Sequence, residues 1–147
     1  GVLCAAALLV ILLFAMNIFD NDNHKSVDMQ FMPETPFKWH QAQGCNGMEY
    51  RFALRNTGDA TAQDIVAGVI WQDSESSLAD PPVEFSTSYL YPDQTVNGSF
   101  CMNLDYTAGA DRARYVEMEI RIWWTNRETG EDEYESFFDN VYLETIP

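Results

Sequence analysis

The residues best equipped for chemistry in this chain are two histidines, a few neighbouring acids and two cysteines in its polar body. A nucleophilic enzyme needs a hydroxyl or thiol with a base in reach. His24 stands in the short run Asp20-Asn21-Asp22-Asn23-His24, His40 stands beside Trp39, and no G-x-S-x-G element accompanies either. Glu117 and Glu119 lie two positions apart, so in a strand they share a face, the minimum for acid–base work on a glycoside. That face is expected to be solvated. Glu131, Asp132, Glu133 and Glu135 gather where a hairpin tip is expected, and a bound cation is the sharper reading of that cluster. The D-x-D-x-H run lacks the distal Glu of a calcium loop. No histidine joins Cys45 and Cys101 at metal-ligand spacing, and no Gly-rich loop is available to hold a phosphate. These patterns call for no metal, no cofactor and no catalytic residue.

Charge removes further classes. The chain has 147 residues, of which 23 are acidic and 8 basic, for a net charge of −15. Lys25 and Lys38 are its only lysines. Nucleic-acid partners require clustered Lys and Arg, and so does peripheral binding to anionic lipid, so neither is expected. Acid excess with scarce lysine fits solubility at a crowded or salty surface, including a halophilic source. The hydrophobic fraction of 46% and aromatic fraction of 14% argue for a folded domain with a core rather than a disordered chain. Cys45 and Cys101, 56 positions apart, suit a disulfide in an oxidising compartment, with two buried free thiols as the alternative.

The elements that would position these residues are strands. The stretch YRFALRNTGDATAQDIVAGVIW, residues 50–71, reads as strand, tight turn, strand. Tyr50, Phe52 and Leu54 alternate with Arg51, Ala53 and Arg55, and Ile65, Ala67, Val69 and Trp71 share a face of the next strand. Asn56-Thr57-Gly58-Asp59 lies between, where Asn and Gly can supply positive φ. Further strands are predicted over 85–91, 98–104, 115–125 and 134–143, separated by turn-rich stretches 73–82, 92–97, 105–112 and 126–133. In 115–125, Val116, Met118, Ile120, Ile122 and Trp124 should face a core, and Glu117, Glu119, Arg121 and Trp123 should face out. Gly130 is the expected left-handed residue of the hairpin that follows. Val27, Met29 and Phe31 alternate in an extended arm that Pro33 and Pro36 confine to a sheet edge. Exposed aromatics can mark a partner surface. The candidates are Phe37 and Trp39 in the arm and Trp123 and Tyr134 across the hairpin. Asn97-Gly98-Ser99 is an N-x-S glycosylation acceptor.

Residues 1–19, GVLCAAALLVILLFAMNIF, carry no charge. As a helix they would be about 28 Å long, matching the hydrocarbon core of a bilayer. They are apolar on every face, unlike a surface-lying amphipathic helix. Cys4, Ala5, Ala6 and Ala7 would let another helix approach closely. The organisation read from the chain is therefore an apolar helix over 1–19, a linker and extended arm over 20–43, and a β-sandwich over 44–147.

Two resemblances follow from these residues. The body resembles the CARDB-type immunoglobulin-like β-sandwich, a bacterial and archaeal cell-adhesion-related module, over about 100 residues. Phe52, Leu54, Asn56, Gly58, Ala60, Ala62, Ile65, Ala67 and Val69 match its strand, N-x-G turn and second strand. Tyr91-Pro92-Asp93-Gln94 stands at its P-G-type turn, with Asp93 where Gly is common. This resemblance implies an all-β, immunoglobulin-like antiparallel β-sandwich outside the cytoplasm and carries no catalytic residues to transfer. The apolar start, without an initiator Met, resembles type IV pilins and their archaeal relatives, although Ala5 stands where bacterial pilins carry Glu. The expected function is a non-enzymatic, single-pass membrane protein whose extracytoplasmic sandwich docks a membrane-complex subunit or the cell envelope. The alternative is a subunit of an extracellular filament, packed against copies of itself with the helix in the core.

Overall fold

The computed structural model describes residues 25–34, 40–41, 44–45, 47–79, 81–106 and 113–143. The apolar segment 1–19 with Cys4, Ala5, Ala6 and Ala7, the run 20–24, and the arm residues Phe37 and Trp39 lie outside them. The described chain is all-β and antiparallel. Its strands are β1 (Met29–Pro33), β2 (His40–Gln41), β3 (Met48–Asn56), β4 (Ala62–Trp71), β5 (Ser76–Leu78), β6 (Glu84–Leu90), β7 (Thr95–Met102), β8 (Leu104–Tyr106), β9 (Arg114–Asn126) and β10 (Asp132–Leu143).

Two larger sheets form. In the first, β3 is central. β7 pairs with residues 48–55 of β3 along one edge, so β1 on residues 52–56 and β2 on 48–49 must share the other. In the second, the order is β10-β9-β4-β6. The core lies between the two. Tyr50, Phe52 and Leu54 of β3 and Phe100 of β7 meet Ile65 and Ala67 of β4 and Met118, Ile120 and Ile122 of β9 in a single buried cluster. Complete burial of a side chain such as Leu54 or Ile120 is worth roughly 1.5–3 kcal/mol. Rings bridge the layers: Phe31 stacks on Phe137 at 5.4 Å, and Phe52 meets Phe85 edge-on at 5.4 Å. The inward set expected for the 115–125 strand, Val116 to Trp124, is buried throughout.

The 56–59 turn does more than reverse the chain. β3 and β4 belong to different sheets, so this turn crosses from one layer to the other. The expected positive φ is not at Asn56 or Gly58; among the described residues it occurs at Gly44, Asp64, Asp93 and Gly130. Gly58 is needed for close approach instead. A Cβ there would overlap the Ser26 carbonyl oxygen and sit 2.7 Å from the Asp28 nitrogen. Asn56 is completely buried and plugs the crossing. Its amide donates to the carbonyls of Ala60 (2.7 Å) and Leu90 (3.1 Å), and its Oδ1 accepts from the Gly58 nitrogen at 3.0 Å.

Gly130, with φ 74°, closes the β9–β10 hairpin as expected. Asp93, with φ 64°, takes the position where a glycine is common, and the Gln94 nitrogen donates to the Tyr91 carbonyl across that turn. Asp64, with φ 51°, marks a bulge between Gln63 and Val66 in the β4–β9 pairing. One extra residue there keeps Ile65 in the core while Val66 aligns with Trp123.

Two stretches expected to be only turns contribute strands. β5 and β8 pair as a small separate sheet, with Leu78 opposite Leu104. Three-residue strands give too few alternations to register as a period. Their surroundings are held by Arg114, which meets the Asp73 carboxylate at 2.5 Å and the Glu75 carboxylate at 3.3 Å. Cys45 and Cys101 are joined as a disulfide, with Cα atoms 5.8 Å apart. It ties the lead-in to β3 onto β7.

Candidate interaction surface

The outer face of the β10-β9-β4-β6 sheet is built from the residues that alternate with the core set. In the β9–β10 ladder, Tyr134 stands directly opposite Trp123, Ser136 opposite Arg121, and Phe138 opposite Glu119. β4 supplies Val66, Gly68 and Ile70 beside Trp123, Arg121 and Glu119. Tyr134 is 66% exposed, Phe138 61% and Trp123 39%. The Trp123 ring lies over Gly68, where an added Cβ would come within 3.2 Å of it. The missing side chain lets the indole lie down on the strand.

Arg121 organises the patch. Its guanidinium carbon is 5.9 Å from the Trp123 ring centroid and 5.6 Å from that of Tyr134. Its terminal nitrogen donates to both Glu119 oxygens, at 3.3 and 3.4 Å. Two aromatic faces and a carboxylate hold the cation in place, so little side-chain entropy remains to be lost on binding. Trp, Tyr and Arg are the residue types that carry most binding energy at interfaces. Covering the exposed part of each ring would contribute about 1–2 kcal/mol.

Glu119 corrects the expected solvated pair. It is 8% exposed, buried under Arg121 and the neighbouring strands, while Glu117 is exposed. Period-2 reading places both on the outer face but cannot see that β4 and β10 flank Glu119 on either side. At the hairpin tip two of the acids are engaged within the protein. Asp132 accepts from the Thr125 hydroxyl at 2.7 Å and Glu133 accepts from the Trp124 indole at 2.9 Å. No group of three metal-ligating side chains occurs among the described residues.

The opposite outer face is different in kind. β3 presents Glu49, Arg51, Ala53 and Arg55, and β7 presents Thr95, Asn97 and Ser99 against them. A shallow groove of about 700 Å³ runs here, bordered by Met32, Pro33, Arg51, Ala53, Asn97 and Ser99. Arg51 is engaged by Glu49 at 2.9 Å. Asn97 is exposed within β7, two residues after the strand begins. Gly98 is enclosed by the Phe52 and Phe85 rings, and a Cβ there would meet Phe52 at 2.6 Å.

A further aromatic group occupies the end of the molecule where residue 25 enters. Tyr89 and Tyr91 stack at 6.1 Å, with the Arg127 guanidinium 5.5 Å from the Tyr89 centroid. Sequence reading did not single out this trio, because its members come from β6, a turn and the β9–β10 hairpin. Among the described residues no helix is long and apolar enough to cross a membrane. No protein-family model matches the chain, and no curated protein matches it.

Proposed function

We propose that this chain is a non-enzymatic interaction module, held at a membrane by residues 1–19 with an immunoglobulin-like, CARDB-type sandwich outside the cytoplasm. The outer face of the β10-β9-β4-β6 sheet receives a protein partner that presents basic side chains. The observation that carries this reading is the exposed Trp123–Tyr134–Arg121 group flanked by Phe138, a concentration of interface residue types on one rigid sheet. The basic character of the partner follows from charge. The chain carries −15, which favours a partner of opposite charge. A second copy would bring the same negative charge to the contact. The location outside the cytoplasm is supported by the Cys45–Cys101 bridge.

The test is the size of the detergent-extracted native complex. The expected result is a particle larger than the single chain, which shrinks when Trp123→Ser and Tyr134→Ser are combined and when salt is raised. Arg51→Ala on the other face should leave it intact. A complex unchanged by the double substitution would contradict the assigned face. A particle built only of copies of this chain would replace the module reading with a filament or oligomer.

A further inference from the structure

The point where the chain enters the sandwich is fixed by a dense set of hydrogen bonds. The Lys25 carbonyl accepts from the Asn126 side chain at 3.2 Å. The Ser26 carbonyl accepts from the nitrogens of Asp59 (3.0 Å) and Ala60 (2.9 Å), and the Ser26 nitrogen donates to Asp59 Oδ1 at 2.8 Å. The turns 56–61, 91–94 and 126–131 lie at this same end, because the ladders pair Met29 with Asn56, Ala62 with both Leu90 and Asn126, and Arg55 with Thr95. Only residues 20–24 separate this end from the apolar segment. Five residues span at most about 18 Å.

Tyr89 and Tyr91, 46% and 50% exposed, project at this end with Arg127. Exposed tyrosines beside a cation suit the headgroup layer, where an amphipathic ring meets both apolar and wet surroundings. The charges around them are mixed. Lys25, Arg55 and Arg127 stand among Asp28, Asp59, Asp93, Glu128, Glu131 and Asp132. That excess of acid gives no attraction to an anionic surface, so the surface it suits is a zwitterionic one.

We propose that the Tyr89–Tyr91–Arg127 group rests in the lipid headgroup layer of the membrane that holds residues 1–19. The sandwich then stands on this end, with the opposite end roughly 40 Å above the surface, the length of β9. This inference rests on the membrane-held reading above. It is tested with the full chain in phosphatidylcholine nanodiscs containing a lipid whose headgroup carries a diazirine. After illumination, the attached label is mapped by peptide mass spectrometry.

The expected result is labelling concentrated on peptides containing 89–94 and 126–131, severalfold above those containing 73–78 and 104–106, and unchanged by salt. Combining Tyr89→Ser and Tyr91→Ser should lower the 126–131 labelling severalfold, with folding checked by circular dichroism. A chain that never enters the discs would overturn the membrane-held reading itself. A chain that enters but is labelled equally at both ends, or only before Lys25, would overturn the headgroup contact alone. Undiminished labelling of the folded double variant would do the same, because the tether would then suffice.

Discussion

The two ends of the sandwich are closed by different physics. At the end where residue 25 enters, buried asparagines do the closing. Asn56 joins the 56–61 crossing to β6 through Leu90, and Asn126 joins the β9–β10 hairpin to Lys25. These are neutral groups with their hydrogen bonds made internally, so they hold equally well at any pH or redox potential. At the opposite end the Cys45–Cys101 bridge and the Arg114–Asp73–Ser76 cluster take that role. Burial alone would raise the Asp73 carboxyl, but hydrogen bonds from Arg114, Ser76 and the Glu75 backbone outweigh it and hold it below the usual carboxylate range. The asparagine contacts of one end are thus indifferent to pH and redox potential, whereas the closure of the other depends on oxidation and on an ionised acid.

The largest effect that would sharpen this contrast is loss of the bridge. Cys101→Ser should cost about 4 kcal/mol on the loop-entropy estimate for a 56-residue separation. Reductant should lower the melting temperature of the native chain and leave the variant unmoved. A native chain indifferent to reductant would break the comparison at its far end.

Next comes Asn56→Ala, expected to cost about 3 kcal/mol because it strands the buried carbonyls of Ala60 and Leu90. Denaturant unfolding should give the same loss at pH 7 and pH 5. A loss that varies with pH would show that the asparagine-closed end is not the neutral one.

Asp73→Asn should cost about 2–3 kcal/mol at pH 7, since it leaves Arg114 without its closest carboxylate. The folded pKa of Asp73 is depressed, so its contribution is complete above the unfolded pKa and is lost as pH falls through the folded value. The gap between native and variant stability should therefore narrow below the ordinary aspartate range. A gap that stays constant into strong acid would contradict the ionised-pair account.

The smallest effect has the opposite sign. Asp93→Gly should stabilise by about 0.5 kcal/mol by relieving a positive φ, less the exposed Arg55 pair it removes. Thermal unfolding that shows a loss instead would mean that Asp93 contributes more through Arg55 than its backbone costs.

Much of the layering was legible because alternation is local. The core set of β9, the outward Trp123 and the Gly130 hairpin all follow from spacing within a dozen residues. The turn at 56–59 was legible as a turn, but its crossing between sheets was not, because pairing partners lie far along the chain. The reason for Gly58 was hidden for the same cause: the atoms it must clear belong to Ser26 and Asp28. Arg114 reads as an ordinary strand charge until Asp73, 41 positions away, folds onto it. Of the candidate surface, Trp123 and Tyr134 were legible as outward aromatics. The clamp of Arg121 between their rings and the burial of Glu119 require the assembled sheet.

The measurement closest to the central claim is site-specific photocrosslinking in native cells, with a benzophenone side chain replacing Tyr134 on one outer face or Thr95 on the other. The expected result is a discrete crosslink to a different, basic protein from position 134 and none from position 95. A crosslink from position 95 with none from position 134 would place the partner on the opposite sheet and contradict it.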